Sequence, residues 1–187
     1  MAILTKEQLS SRASRLFDSY IEKAYSARTA QTSIFLSHKH TDKKEVKEAK
    51  RLLEGIGIKI YVDWLDPDMP KETRGETAIR IKQKIKENDK FILLATDEAV
   101  ASKWCNWELG HGDAEKLLSD KIALFPVREY SRSWTGSEYM QIYPVIEYED
   151  GSNSNTNNQT ISEGYYIFYP SVNLSRNYIA LKTWLLK

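Results

Sequence analysis

The chain has 187 residues, 41% of them apolar and 28% charged, with 27 Lys and Arg against 26 Asp and Glu. That length suits one domain with a sizeable core better than two independent ones, and the charge balance gives no drive toward nucleic acid or anionic lipid. A single cysteine, Cys105, excludes an internal disulfide; no stretch approaches the ~20 apolar residues that span a bilayer, and no secretory leader is evident, so the expected setting is the cytoplasm.

Residues 1–32 read as an N-terminal helical extension. From Thr5 to about Arg28, Leu9, Ala13, Leu16, Phe17, Tyr20, Ile21 and Ala24 recur at helical spacing, and Thr5 with Gln8 forms a capping box. Its apolar stripe either packs on the flank of the main fold or offers a partner surface. From Ser33 onward, short β-rich runs alternate with amphipathic stretches, the pattern of a parallel sheet built from βα units. Strands are expected at Ile34 to Ser37, Ile58 to Val62, Phe91 to Ala95 and Ile122 to Val127. Helices are expected at about Lys43 to Glu54, Glu76 to Glu87 and Lys103 to Leu118, with Gly55 and Gly57 ending the first. A strand near Ile142 to Tyr148 completes five, and the α/β domain spans 33–149. The Asn/Ser-rich segment 150–160 reads as a flexible polar loop. Residues 161–187 then supply a C-terminal strand, Tyr165 to Tyr169, and a closing helix, Leu174 to Leu186.

Ligands of an open parallel sheet bind beyond the carboxyl ends of its strands. The loops there are SHKHTD from Ser37, DWLDPDMPKETRG from Asp63 and TDEAVASKWCNWELGHGD from Thr96. In the last, Ser102 can cap a helix that places Trp104, Cys105 and Glu108 on one face. Either this is a pocket wall, or Trp104 and Trp107 are packing anchors and Glu108 a solvated residue. The string His38-Lys-His40-Thr-Asp42 offers a second chemistry, a metal-dependent hydrolase. Against it, Lys43 stands where the familiar metallohydrolase string has another His, and these residues also suit a polar loop with helix caps. A phosphoacceptor domain ranks lowest, since Asp42 and Asp97 do not supply the acidic residues it needs.

FLSH at the end of the first strand, the IYVDW strand and SKWCNWEL opening the third helix together resemble the TIR domain family over Ser33 to Arg128. Ser102-x-x-Cys105-x-x-Glu108 is similar to the motif of the NAD-cleaving bacterial branch. The resemblance implies a three-layer, flavodoxin-like fold with a five-stranded parallel sheet. It also implies an NAD+ nucleosidase or cyclic ADP-ribose-type synthase, with Glu108 catalytic and Phe35, Ser37, His38, Asp63, Trp64, Trp104 and Cys105 lining the substrate cleft. NAD would be the substrate, with no further cofactor and no metal. For Phe35 a core role is an equal expectation, and Cys105 is expected to pack rather than react. The second loop departs from the family in length and in lacking its Pro-Gly turn.

Nicotinamide leaves NAD as a neutral ring and needs no general acid, so one carboxylate can suffice where ordinary glycosidases use two. A carboxylate about 4 Å from the ribosyl cation, at an effective dielectric near 20, gains roughly 4 kcal/mol. Developed mainly in the transition state, this is worth about a thousandfold in rate. Trp104 is placed to stack on a cationic ring. Domain layout and resemblance together suggest the TIR component of a Thoeris-type anti-phage system. Such a protein would answer a phage-derived trigger, self-associate through TIR–TIR contacts and reach a separate effector protein through a small-molecule signal. The alternative is a non-catalytic adaptor acting by TIR–TIR association alone.

Overall fold

A computed structural model describes residues 2–23, 32–70, 72, 74–129, 134, 136–155, 158–170 and 178–187, with side chains in the first helix described to Arg15. The expected apolar positions Leu16, Phe17, Tyr20, Ile21 and Ala24, and the helix end near Arg28, lie outside this description.

The chain opens with a two-residue strand, β1 (Leu4–Thr5), followed by α1 (Lys6–Lys23). The capping box forms as the sequence implies: the Thr5 backbone N–H donates to Gln8 Oε1 at 3.0 Å and the Gln8 N–H to Thr5 Oγ1 at 3.2 Å. Leu9 and Ala13 are buried in the core, so the described half of the stripe packs on the domain. The βα units then follow as β2 (Ser33–Ser37), α2 (Lys43–Glu54), β3 (Lys59–Tyr61), α3 (Gly75–Glu87), β4 (Lys90–Ala95), α4 (Asp97–Val100), α5 (Lys103–Lys116) and β5 (Ile122–Arg128). Val46, Ala49, Leu52 and Leu53 bury one face of α2. That helix ends at Glu54 with Gly55 as its cap, and the turn beyond it closes at Gly57, whose φ of +94° is a left-handed conformation glycine adopts freely.

With β6 (Val145–Glu149), the core strands stand in the order β3-β2-β4-β5-β6, all parallel. This is the expected flavodoxin-like arrangement. Alternation along each strand sends residues to opposite faces. Ile34, Leu36, Ile92, Leu94, Ala123 and Phe125 meet α1, α2 and α6 (Leu181–Leu185) on one side. Phe35, Phe91, Leu93, Ile122 and Leu124 meet α3 and α5 on the other, giving three layers.

The sheet is larger than five strands. β7 (Gly164–Phe168) pairs antiparallel with β6, β8 (Tyr178–Ala180) pairs antiparallel with β7, and β1 pairs with β5. The expected closing helix therefore begins only at Leu181. Tyr178, Ile179 and Ala180 pair with Phe168, Ile167 and Tyr166 instead of coiling, and residues 174–177 lie outside the described set. β5 and β6 share a single paired position, Leu124 with Val145. Beyond it the start of the chain enters between them: Leu4 and Thr5 pair with Val127 and Arg128, while Ala2 exchanges backbone hydrogen bonds with Tyr148 at 2.8 and 3.0 Å. The polar loop after β6 is tied to the buried Glu149, whose carboxylate accepts from the Gly151 and Asn153 backbone N–H groups. No helix among the described residues is long and apolar enough to cross a membrane.

Candidate functional site

In the strand order β3-β2-β4 the chain reverses its direction of winding at β2, and a cleft of about 640 Å3 opens there, beyond the carboxyl ends of the strands. Its walls come from the three loops singled out in the sequence. His38, Lys39 and His40 follow β2; Asp63, Trp64 and Met69 follow β3; Ser102, Trp104 and Cys105 open α5.

Ser102 caps α5, its hydroxyl accepting from the Cys105 backbone N–H at 3.4 Å. One helical turn in, Glu108 is only 3% exposed and lies behind the cleft wall that Trp104 and Cys105 form. Ser37, the last residue of β2, donates from Oγ to Glu108 Oε2 at 2.6 Å. The carboxyl group is pushed up to about 8. Burial is the main cause and the charge of Asp63 adds to it, while the hydrogen bonds from Ser37 and Trp104 oppose it. A carboxyl group with its proton poised near neutrality, on a rigid helix beside a cleft, is an arrangement enzymes use for proton transfer and charge stabilisation.

The aromatic residues divide. Trp104 is half-buried, faces the cleft and stacks on Trp107 with centroids 5.0 Å apart. Trp64 also lines the cleft, and its indole N–H is buried without a hydrogen-bond partner among the described residues. Phe35 does not line it. On β2 it points under the α3/α5 layer, stacked between Tyr61 at 5.5 Å and Phe91 at 5.8 Å. Burial pushes the Cys105 thiol up to about 11, so at neutral pH it is a packed thiol and not a thiolate.

The histidines behave differently from the pattern His38-x-His40-x-Asp42. Asp42 turns away and accepts from the Thr96 hydroxyl, which also caps α4. Asp63 takes its place: His38, His40 and Asp63 each bring a ligand-capable atom within 4.8 Å of the others. His38 Nδ1 lies 2.9 Å from the Leu36 carbonyl, and its Nε2 is 3.4 Å from Asp63 Oδ1 without the alignment of a hydrogen bond. Burial holds this imidazole below its usual range against the pull of Asp63. The role of Asp63 was legible only in part, because its partners sit in a loop more than twenty residues away. His111 stays outside the cleft, over the ring of Trp107.

A family model described as "TIR domain" matches residues 34–159. The chain is 31% identical over 118 residues to "Probable 3' cyclic ADP-D-ribose synthase ThsB'" of Bacillus cereus (strain MSX-D12), a match covering 60% of this chain and 59% of that protein. It is 28% identical over 117 residues to "Putative cyclic ADP-D-ribose synthase TIR2" of Cytobacillus dafuensis, covering 54% of this chain and 31% of that one. In both cases the match spans less than two thirds of the relative's length.

Proposed function

Because the chain belongs to the TIR domain family, we propose that it breaks the nicotinamide–ribose bond of NAD and makes a cyclic ADP-ribose-type signal, with Glu108 as the catalytic carboxylate. The observation that carries this reading is the buried Glu108, hydrogen-bonded by Ser37 directly behind the Trp104–Cys105 wall of the cleft.

In the reaction the C–N glycosidic bond breaks, its electron pair goes to the pyridinium nitrogen, and nicotinamide departs neutral. Ionised Glu108 then faces the ribosyl oxocarbenium centre, an attraction of roughly 4 kcal/mol at contact distance. A nucleophile within the same ADP-ribose unit closes the ring. Its proton passes to Glu108, which its apolar surroundings make a competent base near neutral pH. Trp104 stacks on the nicotinamide or adenine ring. The unpartnered indole N–H of Trp64 is a donor that ribose hydroxyls or phosphate oxygens would meet. The names of the two relatives support a cyclic product over simple hydrolysis.

The setting we infer is the bacterial cytoplasm, in anti-phage defence of the Thoeris type. A phage-derived trigger promotes TIR–TIR association, and the released molecule activates a separate effector protein. Mass spectrometry of NAD incubated with wild type and Glu108→Gln, with and without lysate of infected cells, tests the chemistry. Wild type alone should release nicotinamide together with a product of the mass of NAD less nicotinamide. If no nicotinamide appears under any condition while Glu108→Gln still protects cells from phage, the chain is an adaptor and the reading is wrong.

A further inference from the structure

We propose that His38, His40 and Asp63 form a binding site for a zinc-class divalent ion at the mouth of the cleft. The inference goes beyond the NAD reading and does not depend on it. β2 and β3 are adjacent and parallel, with Phe35 paired to Tyr61. His38 lies three residues past that pair and Asp63 two residues past it, so both emerge at the same sheet edge, where the turn after β2 returns His40.

The local hydrogen bonding makes sense around an ion and poorly without one. A carbonyl only accepts, so His38 Nδ1, 2.9 Å from Leu36 O, is the nitrogen that donates, and Nε2 of the neutral ring is left with its lone pair. That lone pair has no hydrogen-bond partner among the described residues, although His38 is 8% exposed. It faces Asp63 Oδ1, another acceptor, 3.4 Å away. Two acceptors at that distance repel unless a proton or a metal cation lies between them. With bonds of about 2.0–2.2 Å, two donors to one tetrahedral ion stand about 3.3–3.5 Å apart, which matches the His38–Asp63 separation, and His40 brings a ring nitrogen within 4.8 Å of both.

The supporting contacts fit as well. A metal-ligating imidazole typically donates its other N–H to a backbone carbonyl, as His38 does to Leu36, and ligating carboxylates are themselves hydrogen-bonded. Asp63 Oδ1 accepts from the Trp64 backbone N–H at 2.7 Å. Two imidazoles and one carboxylate are a zinc-type donor set rather than a calcium or magnesium one. Three protein ligands leave a fourth position open toward the cleft.

The test uses untagged, chelator-stripped protein titrated with Co2+, followed by the visible absorption of tetrahedral cobalt, and then with Zn2+ in competition. One ion per chain with micromolar affinity is expected. His40→Ala and Asp63→Asn should each weaken binding by more than about tenfold. His111→Ala, distant from the site, should bind as wild type does. His40 is exposed, so an unchanged circular dichroism spectrum and melting point without metal confirm that His40→Ala is folded. The proposal is overturned if wild type shows no saturable binding below about 1 mM, a range too weak for a built three-ligand site, if the folded His40→Ala variant binds as tightly as wild type, or if His111→Ala is the variant that loses binding.

Discussion

Replacing Glu108 by Gln should change the pH dependence of stability as well as activity. In wild type the carboxyl keeps its proton up to about 8 in the folded state, against an ordinary 4.5. The folded state therefore binds the proton more tightly than the unfolded chain does. The stability this confers is complete below about pH 4.5 and is lost progressively as pH rises toward about 8. At about 1.4 kcal/mol per pH unit the interval amounts to about 5 kcal/mol. Gln has nearly the same shape, can accept the Ser37 hydroxyl and does not ionise, so its stability lacks this decline. Every other titrating group is common to both proteins. The melting point of Glu108→Gln minus that of wild type should therefore widen between about pH 5 and about pH 8.5, by on the order of 10 °C for a domain of this size. Paired thermal melts across that range make the measurement. If the two curves run parallel, Glu108 is not held protonated by its surroundings, and the electrostatic argument for its role fails.

Three further outcomes follow from the same geometry. In steady-state assays with NAD, kcat/KM should rise with pH along a limb with apparent pKa near 8. The limb in kcat should lie lower, because the bound pyridinium favours the carboxylate; a flat profile would mean that Glu108 ionisation does not limit the reaction. Phe35→Ala should cost about 3–5 kcal/mol in urea unfolding, since the ring is packed between Tyr61 and Phe91. A raised KM with unchanged stability would instead make it a substrate contact. Gly112→Ala should cost about 1–3 kcal/mol in the same assay, as its new methyl would sit 2.9 Å from Phe91 Cδ2; an unchanged midpoint would show that the ring has room to move.

The regular part of this fold was readable because its signals are local. Each core strand is an apolar run bounded by an amphipathic helix, and Thr5 with Gln8 or Ser102 with Cys105 are caps whose partners lie three residues apart. Glu108 and Trp104 were readable for the same reason, as neighbours on one turn of α5. The additions to the sheet were not. Tyr178 to Ala180 form a strand because Tyr166 to Phe168 lie alongside, and the spacing of Ile179, Leu181, Trp184 and Leu185 imitates a helix. A two-residue strand such as Leu4–Thr5 has no periodicity to detect. The third member of the His38-x-His40-x-Asp42 string was unreadable for a related reason. Asp42 is adjacent to the histidines in sequence, but Thr96 engages its carboxylate, and Asp63 approaches through the β2–β3 register instead. Phe35 was left open between core and cleft because the alternation of a strand assigns it a face of the sheet but not a depth along it.

The wedge of residues 2–5 between β5 and β6 also sets an order in time. During synthesis, Leu4 leaves the ribosome long before Val127, its partner roughly 120 residues further along. At roughly 5–20 residues per second, the wait is on the order of ten seconds. Over that interval the βα units from Ser33 onward can form their local contacts, while the Leu4–Thr5 strand has nothing to pair with. Seating it joins Val127 on one side to Tyr148 on the other. Seating of Leu4 and Thr5 therefore waits for strands made roughly 120 residues later, and the wedge closes the sheet only after the strands on both sides of it exist.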